Sequence, residues 1–156
     1  MSIETRRGSL TLWTWLACGF GLGFVPLAPG TVATAALAVP AGFLMPLPPL
    51  WMGLIAAMLA WSGLGLCGHA EKQLGTDAGS IVWDEFTGFA VTLIGLPGGW
   101  PTVALAFALF RLFDIAKPFP VGRSQRLRGG LGVVADDVLA GIYANAATRL
   151  VLGLIT

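Results

Sequence analysis

Thirteen of the seventeen charged residues in this chain lie between Glu71 and Asp137, and the remainder is almost entirely hydrocarbon and glycine. Carboxylates near lipid are costly, so a membrane chain that keeps a cluster of them usually has work for them. Here the acids fall in adjacent pairs, Asp84-Glu85 and Asp136-Asp137, with Asp114 and Lys117 between the pairs. Two such pairs, a lone Asp and several nearby Arg and Lys side chains point to divalent metal and phosphate.

The length of 156 residues is one domain's worth, so residues 1–156 are expected to form a single membrane-embedded domain. With 56% hydrophobic and 11% charged residues, the composition is outside the usual soluble range. A formal net charge of +1 leaves no basic excess for nucleic acid. Cys18 and Cys67 lie in apolar stretches without metal-like spacing and read as buried small hydrophobes. Arg6 and Arg7 precede an apolar run, the order of a signal peptide. Gly-rich sequence with Pro26 and Pro29 follows instead of a cleavage site, so the segment is expected to be retained.

Residues 31–45, 50–67 and 138–156 are candidates to cross a bilayer, none of them a long clean span, and the first is short and carries Pro40. The second is the best of them, at about 27 Å if helical. The uncharged turn Met45-Pro46-Leu47-Pro48-Pro49 should join the first two as a hairpin. Residues 86–110 carry no charge, but Pro97-Gly98-Gly99-Trp100-Pro101 interrupts them. Proline removes a backbone donor and glycine weakens a helix, leaving two halves of about 15–20 Å each. The expected form is a re-entrant hairpin that enters and returns on one side with its tip covered by protein. Arg6, Arg7, Lys72, Arg111, Lys117, Arg123, Arg126 and Arg128 would then all be cytoplasmic, and the turns at 46–49 and 97–101 carry no charge. Arg149 fits poorly, being well inside the last span unless it snorkels or faces protein. Strand signals are weak, and the expected fold is all-α: a small multi-helical integral membrane protein with short or broken helices.

Each acidic block has a structural and a functional reading. Asp84 and Glu85 open an apolar helix, where one acid complements the helix dipole; two together suit a Mg²⁺ ligand set better. Asp136 and Asp137 follow Gly129-Gly130-Leu131-Gly132, and could be an N-cap and first helical residue as readily as metal ligands. Arg111, Asp114 and Lys117 are three apart and share a helix face, as an internal salt bridge would. Alternatively, Asp114 serves metal or water while Arg111 and Lys117 neutralise phosphate, with Pro118 ending the helix beside Lys117. The Gly30-Thr31 step is either a tight packing turn or a helix start that offers N–H groups and the Thr31 hydroxyl to an anion. His69, the only histidine, reads as a loop or interfacial residue.

Taken together, Phe20-Gly21, Ala28-Pro29-Gly30-Thr31, Ile81-Val82-Trp83-Asp84-Glu85…Gly88, Arg111…Asp114…Lys117-Pro118…Pro120 and Gly129-Gly130-Leu131-Gly132…Asp136-Asp137…Ala140-Gly141 resemble the signature blocks of phosphatidylglycerophosphatase A, in order, from about residue 17 to residue 145. The resemblance implies a Mg²⁺-dependent enzyme of the bacterial inner membrane, with its active site facing the cytoplasm. It would remove the terminal phosphate of phosphatidylglycerophosphate to give phosphatidylglycerol. On that basis Asp84, Glu85, Asp114 and Asp137 are the expected catalytic residues, the same four with Asp136 the metal set, and Thr31, Arg111 and Lys117 the substrate contacts. Ala78 after Asp77 and Ala33-Thr34 after Thr31 depart from the family pattern without touching the acids.

The chain has no Cys-x5-Arg loop, no Asp-x-Asp pair and only one histidine. Water activated by a divalent ion is therefore the expected nucleophile, with an aspartyl-phosphate route still open. Two other classes compete: a CDP-alcohol-type lipid phosphotransferase, whose longer Asp-Gly…Ala-Arg…Gly…Asp pattern is missing, and a non-enzymatic membrane protein whose acids cap helices or line a cation path.

Overall fold

A computed structural model describes residues 10–76, 78–124, 127 and 129–155. Arg6, Arg7, Asp77, Arg126 and Arg128 lie outside the described residues. Among those described, every regular element is helical. In chain order they are α1 (Leu12–Ala17), a 3-10 segment (Gly19–Phe24), α2 (Pro29–Leu44), α3 (Pro49–Leu74), α4 (Trp83–Leu93), α5 (Trp100–Ala116), α6 (Val121–Ser124) and α7 (Gly130–Ile155).

Proline marks several of these helix boundaries, although Pro40 lies inside α2. Pro29 and Pro49 occupy the first helical positions of α2 and α3 and Pro101 the second of α5, where no intrahelical N–H bond is lost. Pro118 follows Lys117, the left-handed C-cap of α5. Met45 to Pro48 join α2 to α3, as the uncharged turn predicted.

Glycine contacts fix how the long helices run. Gly30, at the start of α2, is against Glu85 and Arg111, and Gly42 near its end is against the Trp100 ring at the start of α5. Gly63 of α3 faces Trp83 and Val134, whereas Pro49 at its start packs against Gly95. Helices α2, α4 and α7 therefore run away from the acidic end, and α3 and α5 run toward it. The core between them centres on Phe89, Leu93, Phe110, Ala140 and Ala144, with the Phe89 and Phe110 rings 6.0 Å apart.

Residues 86–110 form a hairpin, as the broken sequence predicts. Gly95 (φ +64°) and Gly99 (φ +125°) take conformations that disfavour side chains, and α5 returns antiparallel to α4. Arg111 thereby comes within 3.9 Å of Glu85, so both charged ends of the hairpin meet at one end of the bundle.

Two expectations need correction. Among the described residues, only α3 and α7, 26 residues each, are long and apolar enough to cross a membrane; residues 31–44 belong to the 16-residue α2. Helix α7 begins at Gly130, not near 138, so Asp136 and Asp137 are in its second turn and cannot be its N-cap. Arg149 faces protein, one of the two arrangements open to it: its guanidinium donates to Asn145 Oδ1 and to the Ile94 carbonyl, each at 2.8 Å. His69 meets the Thr11 hydroxyl at 3.0 Å, tying α1 to α3. Both cysteines are buried and free, as expected.

Candidate active site

Three chain segments deliver carboxylates to one place. The loop before α4 is anchored by the Val82 N–H donating to the Ala17 carbonyl at 3.0 Å, which sets Asp84 and Glu85 in the first turn of α4. Asp137 reaches the same place from α7, which passes α4 at backbone contact: a Cβ on Gly88 would lie 2.5 Å from the Asp137 carbonyl oxygen. Asp84, Glu85 and Asp137 each present one oxygen within 4.8 Å of the others. Asp84 Oδ1, Glu85 Oε2 and Asp137 Oδ2 are buried and accept no hydrogen bond.

A second layer holds the remaining charges. Arg111 Nη1 lies 2.6 Å from Asp114 Oδ2, and Lys117 Nζ lies 3.5 Å from Asp114 Oδ1. Lys117 also donates to Asp136 Oδ2. The five acids thus divide: Asp114 and Asp136 are closely ion-paired with Arg111 and Lys117, while Asp84, Glu85 and Asp137 converge with only the longer Arg111 contact to Glu85 to offset their charge. Arg111 links the layers, by its 3.9 Å approach to Glu85.

Electrostatics follows from burial. Desolvation pushes the Asp84 carboxyl well above its ordinary pKa, and the Glu85 and Asp137 charges push it further. Burial likewise raises Glu85, against the opposing hydrogen bond from Asp84 and the Arg111 charge. Burial disfavours the Lys117 ammonium, yet its hydrogen bond to Asp136 and the nearby carboxylates outweigh this and hold its pKa above the usual value. Crowded, buried carboxylates of this kind are stable as anions only when a cation joins them.

The donor set matches a hard divalent ion. Mg²⁺ takes oxygen ligands and is usually held by one or two carboxylates together with waters and substrate phosphate. Asp84, Glu85 and Asp137 supply oxygens of that kind, whereas neither cysteine nor His69 belongs to the cluster.

The amino end of α2 closes the site. Ala28 (φ +48°) turns the chain into Pro29, and a Cβ on Gly30 would collide with the Glu85 carboxylate and lie 3.2 Å from Arg111 Nη1. Only glycine lets this helix start approach so closely. Thr31 is one residue further on, half-buried in the first turn of α2. Across the site, Lys117 takes φ +42°, a strained value for a side-chain-bearing residue. The sequence reading named all eight of these side chains. It did not single out Asn145, which donates to the Thr92 and Ile94 carbonyls away from this cluster.

The family model described as Phosphatidylglycerophosphatase A matches residues 15–152. The chain belongs to the phosphatidylglycerophosphatase A family. It is 42% identical over 136 residues to the Phosphatidylglycerophosphatase A of Escherichia coli, covering 85% of this chain and 78% of that protein. It is 43% identical over 133 residues to the Phosphatidylglycerophosphatase A of Haemophilus influenzae, covering 83% and 82%. A Bacteroides thetaiotaomicron protein, 38% identical over 151 residues with 88% and 94% covered, has a name given as provisional, phosphatidylinositol-3-phosphatase. No solved structure matches.

Membership makes the chain a phosphoric monoester hydrolase and sets aside the phosphotransferase and non-enzymatic alternatives. The two long apolar helices, which expose Leu50, Trp61, Leu150 and Leu154 to their surroundings, fit a membrane-associated phosphatidylglycerophosphatase A.

Proposed function

We propose that this protein hydrolyses phosphatidylglycerophosphate to phosphatidylglycerol and phosphate at the inner face of the bacterial cytoplasmic membrane, with Mg²⁺ held by Asp84, Glu85 and Asp137. The observation that carries the metal assignment is the set of three buried carboxylate oxygens without partners, next to a layer in which every acid already has a cation. When bound, the ion would polarise a phosphoryl oxygen and lower the pKa of water.

The chain's own groups do the rest. Arg111 and Lys117 face the cluster and bind the non-bridging oxygens of the phosphate monoester as charge-assisted donors. Asp114 holds both cations in place and Asp136 holds Lys117, so neither must reorganise as the substrate arrives. The first turn of α2, at Gly30 and Thr31, adds backbone N–H groups and the positive end of its dipole. The hairpin of α4 and α5 dips into the membrane without crossing it. That arrangement supports attack on a lipid headgroup from the cytoplasmic leaflet, because both of its charged ends are at one level.

The test is phosphate release by the purified protein from phosphatidylglycerophosphate, with phosphatidylinositol 3-phosphate as the parallel substrate. Release from the first that stops with chelator and returns with Mg²⁺ is expected. Full activity in excess chelator would overturn the metal assignment. Preference for the phosphoinositide would overturn the substrate.

A further inference from the structure

Arg149 is twelve residues beyond Asp137 on α7, about 18 Å along the helix and in an apolar segment where charge is costly. Besides the two bonds donated by its guanidinium, Asn145 Nδ2 donates to the carbonyls of Thr92 at 2.7 Å and Ile94 at 2.9 Å. These carbonyls lie where α4 ends, so no further helical N–H is available to them. Inside hydrocarbon they could not turn to water instead. Gly95 brings the chain past so closely that a Cβ there would lie 2.9 Å from Arg149 Nη2.

The same two helices touch at three levels. Asp84 is with Asp137 at the top, Gly88 is against Gly141 in the middle, and Thr92 is bonded to Asn145 below. On each helix these positions are four apart and form one stripe, which Arg149 extends on α7. The glycine contact lets the backbones approach but has no side chain to stop sliding along the axis. The directional bonds at the bottom do stop it. A slip of about 1 Å would change the separation of Asp84 and Glu85 from Asp137 by a similar amount, and Mg²⁺ demands near-ideal octahedral geometry.

We propose that Asn145 and Arg149 form a register clamp: positioning residues that set where α4 lies along α7, and so the spacing of Asp84 and Glu85 from Asp137. The inference rests on the metal assignment made above.

The experiment measures binding of Mn²⁺ to the full chain in detergent by electron paramagnetic resonance, which requires no turnover. Arg149→Met and Asn145→Leu keep bulk, remove the donors and raise apolarity, so neither weakens membrane insertion. Each should bind Mn²⁺ roughly 10-fold or more weakly than the wild type, the size of effect seen when a metal site loses its outer support. Should Arg149→Met fail to fold, Arg149→Lys keeps one donor for the Ile94 carbonyl and should give intermediate affinity. Val103→Ala, in the same core but off the stripe, should lower thermal stability and leave Mn²⁺ affinity unchanged. Wild-type affinity in both clamp variants would reduce Asn145 and Arg149 to helix caps, and an equal loss in Val103→Ala would assign the effect to stability. A wild-type protein that binds no Mn²⁺ would instead overturn the metal assignment, and the clamp with it.

Discussion

Asp136 and Asp137 are adjacent in sequence but about 100° apart around α7, and that rotation separates their chemistry. Asp137 turns to Asp84 and Glu85, whereas Asp136 turns to Lys117. Asp137→Asn should therefore cut turnover by roughly 10³-fold, several kcal/mol of lost metal function. Asp136→Asn should cost about 10-fold and appear mainly as a raised KM, because it loosens a substrate cation and leaves the metal set intact. Steady-state assays over a range of Mg²⁺ and substrate concentrations distinguish the two, and equal losses with the same Mg²⁺ dependence would contradict the division. The acids themselves were legible in the sequence. Their separation into two layers was not, since it depends on α7 starting at Gly130. Glycines are poor helix formers, and Gly129-Gly130-Leu131-Gly132 reads locally as a loop. Packing decides otherwise: Gly130 lies against the backbone of Leu64 and Gly68 with no room for a side chain.

At the scale of helices, the crossing of α4 and α7 controls the site. A Cβ on Gly141 would collide with the Gly88 carbonyl oxygen and lie 3.1 Å from Val91 Cβ. Gly141→Val should therefore force the helices apart, at a cost of about 1–3 kcal/mol. By contrast Gly153, in the same helix with nothing within 4 Å, should accept alanine with neutral or slightly improved stability. Thermal unfolding of both variants in detergent checks the contrast, and similar melting temperatures would refute the close crossing. The hairpin was foreseeable because Pro97-Gly98-Gly99-Trp100-Pro101 breaks a charge-free run in a way no helix tolerates. What holds its tip was not foreseeable. Arg149 pairs with a carbonyl rather than a carboxylate, and carbonyls are invisible to a reading of side chains.

For the whole molecule, one end of the bundle carries the chemistry and the other is apolar. Single cysteines at Thr76 and Ser124, in a background with Cys18 and Cys67 replaced by alanine, should both react with an impermeant thiol reagent from the cytoplasmic side only. Intact cells and inverted vesicles supply the two exposures, and labelling from opposite faces would exclude a shared site. The helical class and the charged end were readable from composition, because hydrocarbon and glycine leave few places for charge. The helix α3 is longer than the apolar stretch 50–67, because it continues past Cys67 to Leu74 through a charged segment that hydropathy excludes but helix propensity permits.

The stripe shared by α4 and α7 also fixes length. One residue inserted between Asp137 and Asn145 would turn both lower donors by about 100° and move them about 1.5 Å along the axis. No exchange of side chains could restore rotation and rise together. This stretch of α7 therefore admits neither insertion nor deletion, whereas the Met45–Pro48 turn, with neither carboxylate nor clamp to keep in phase, is free to vary in size.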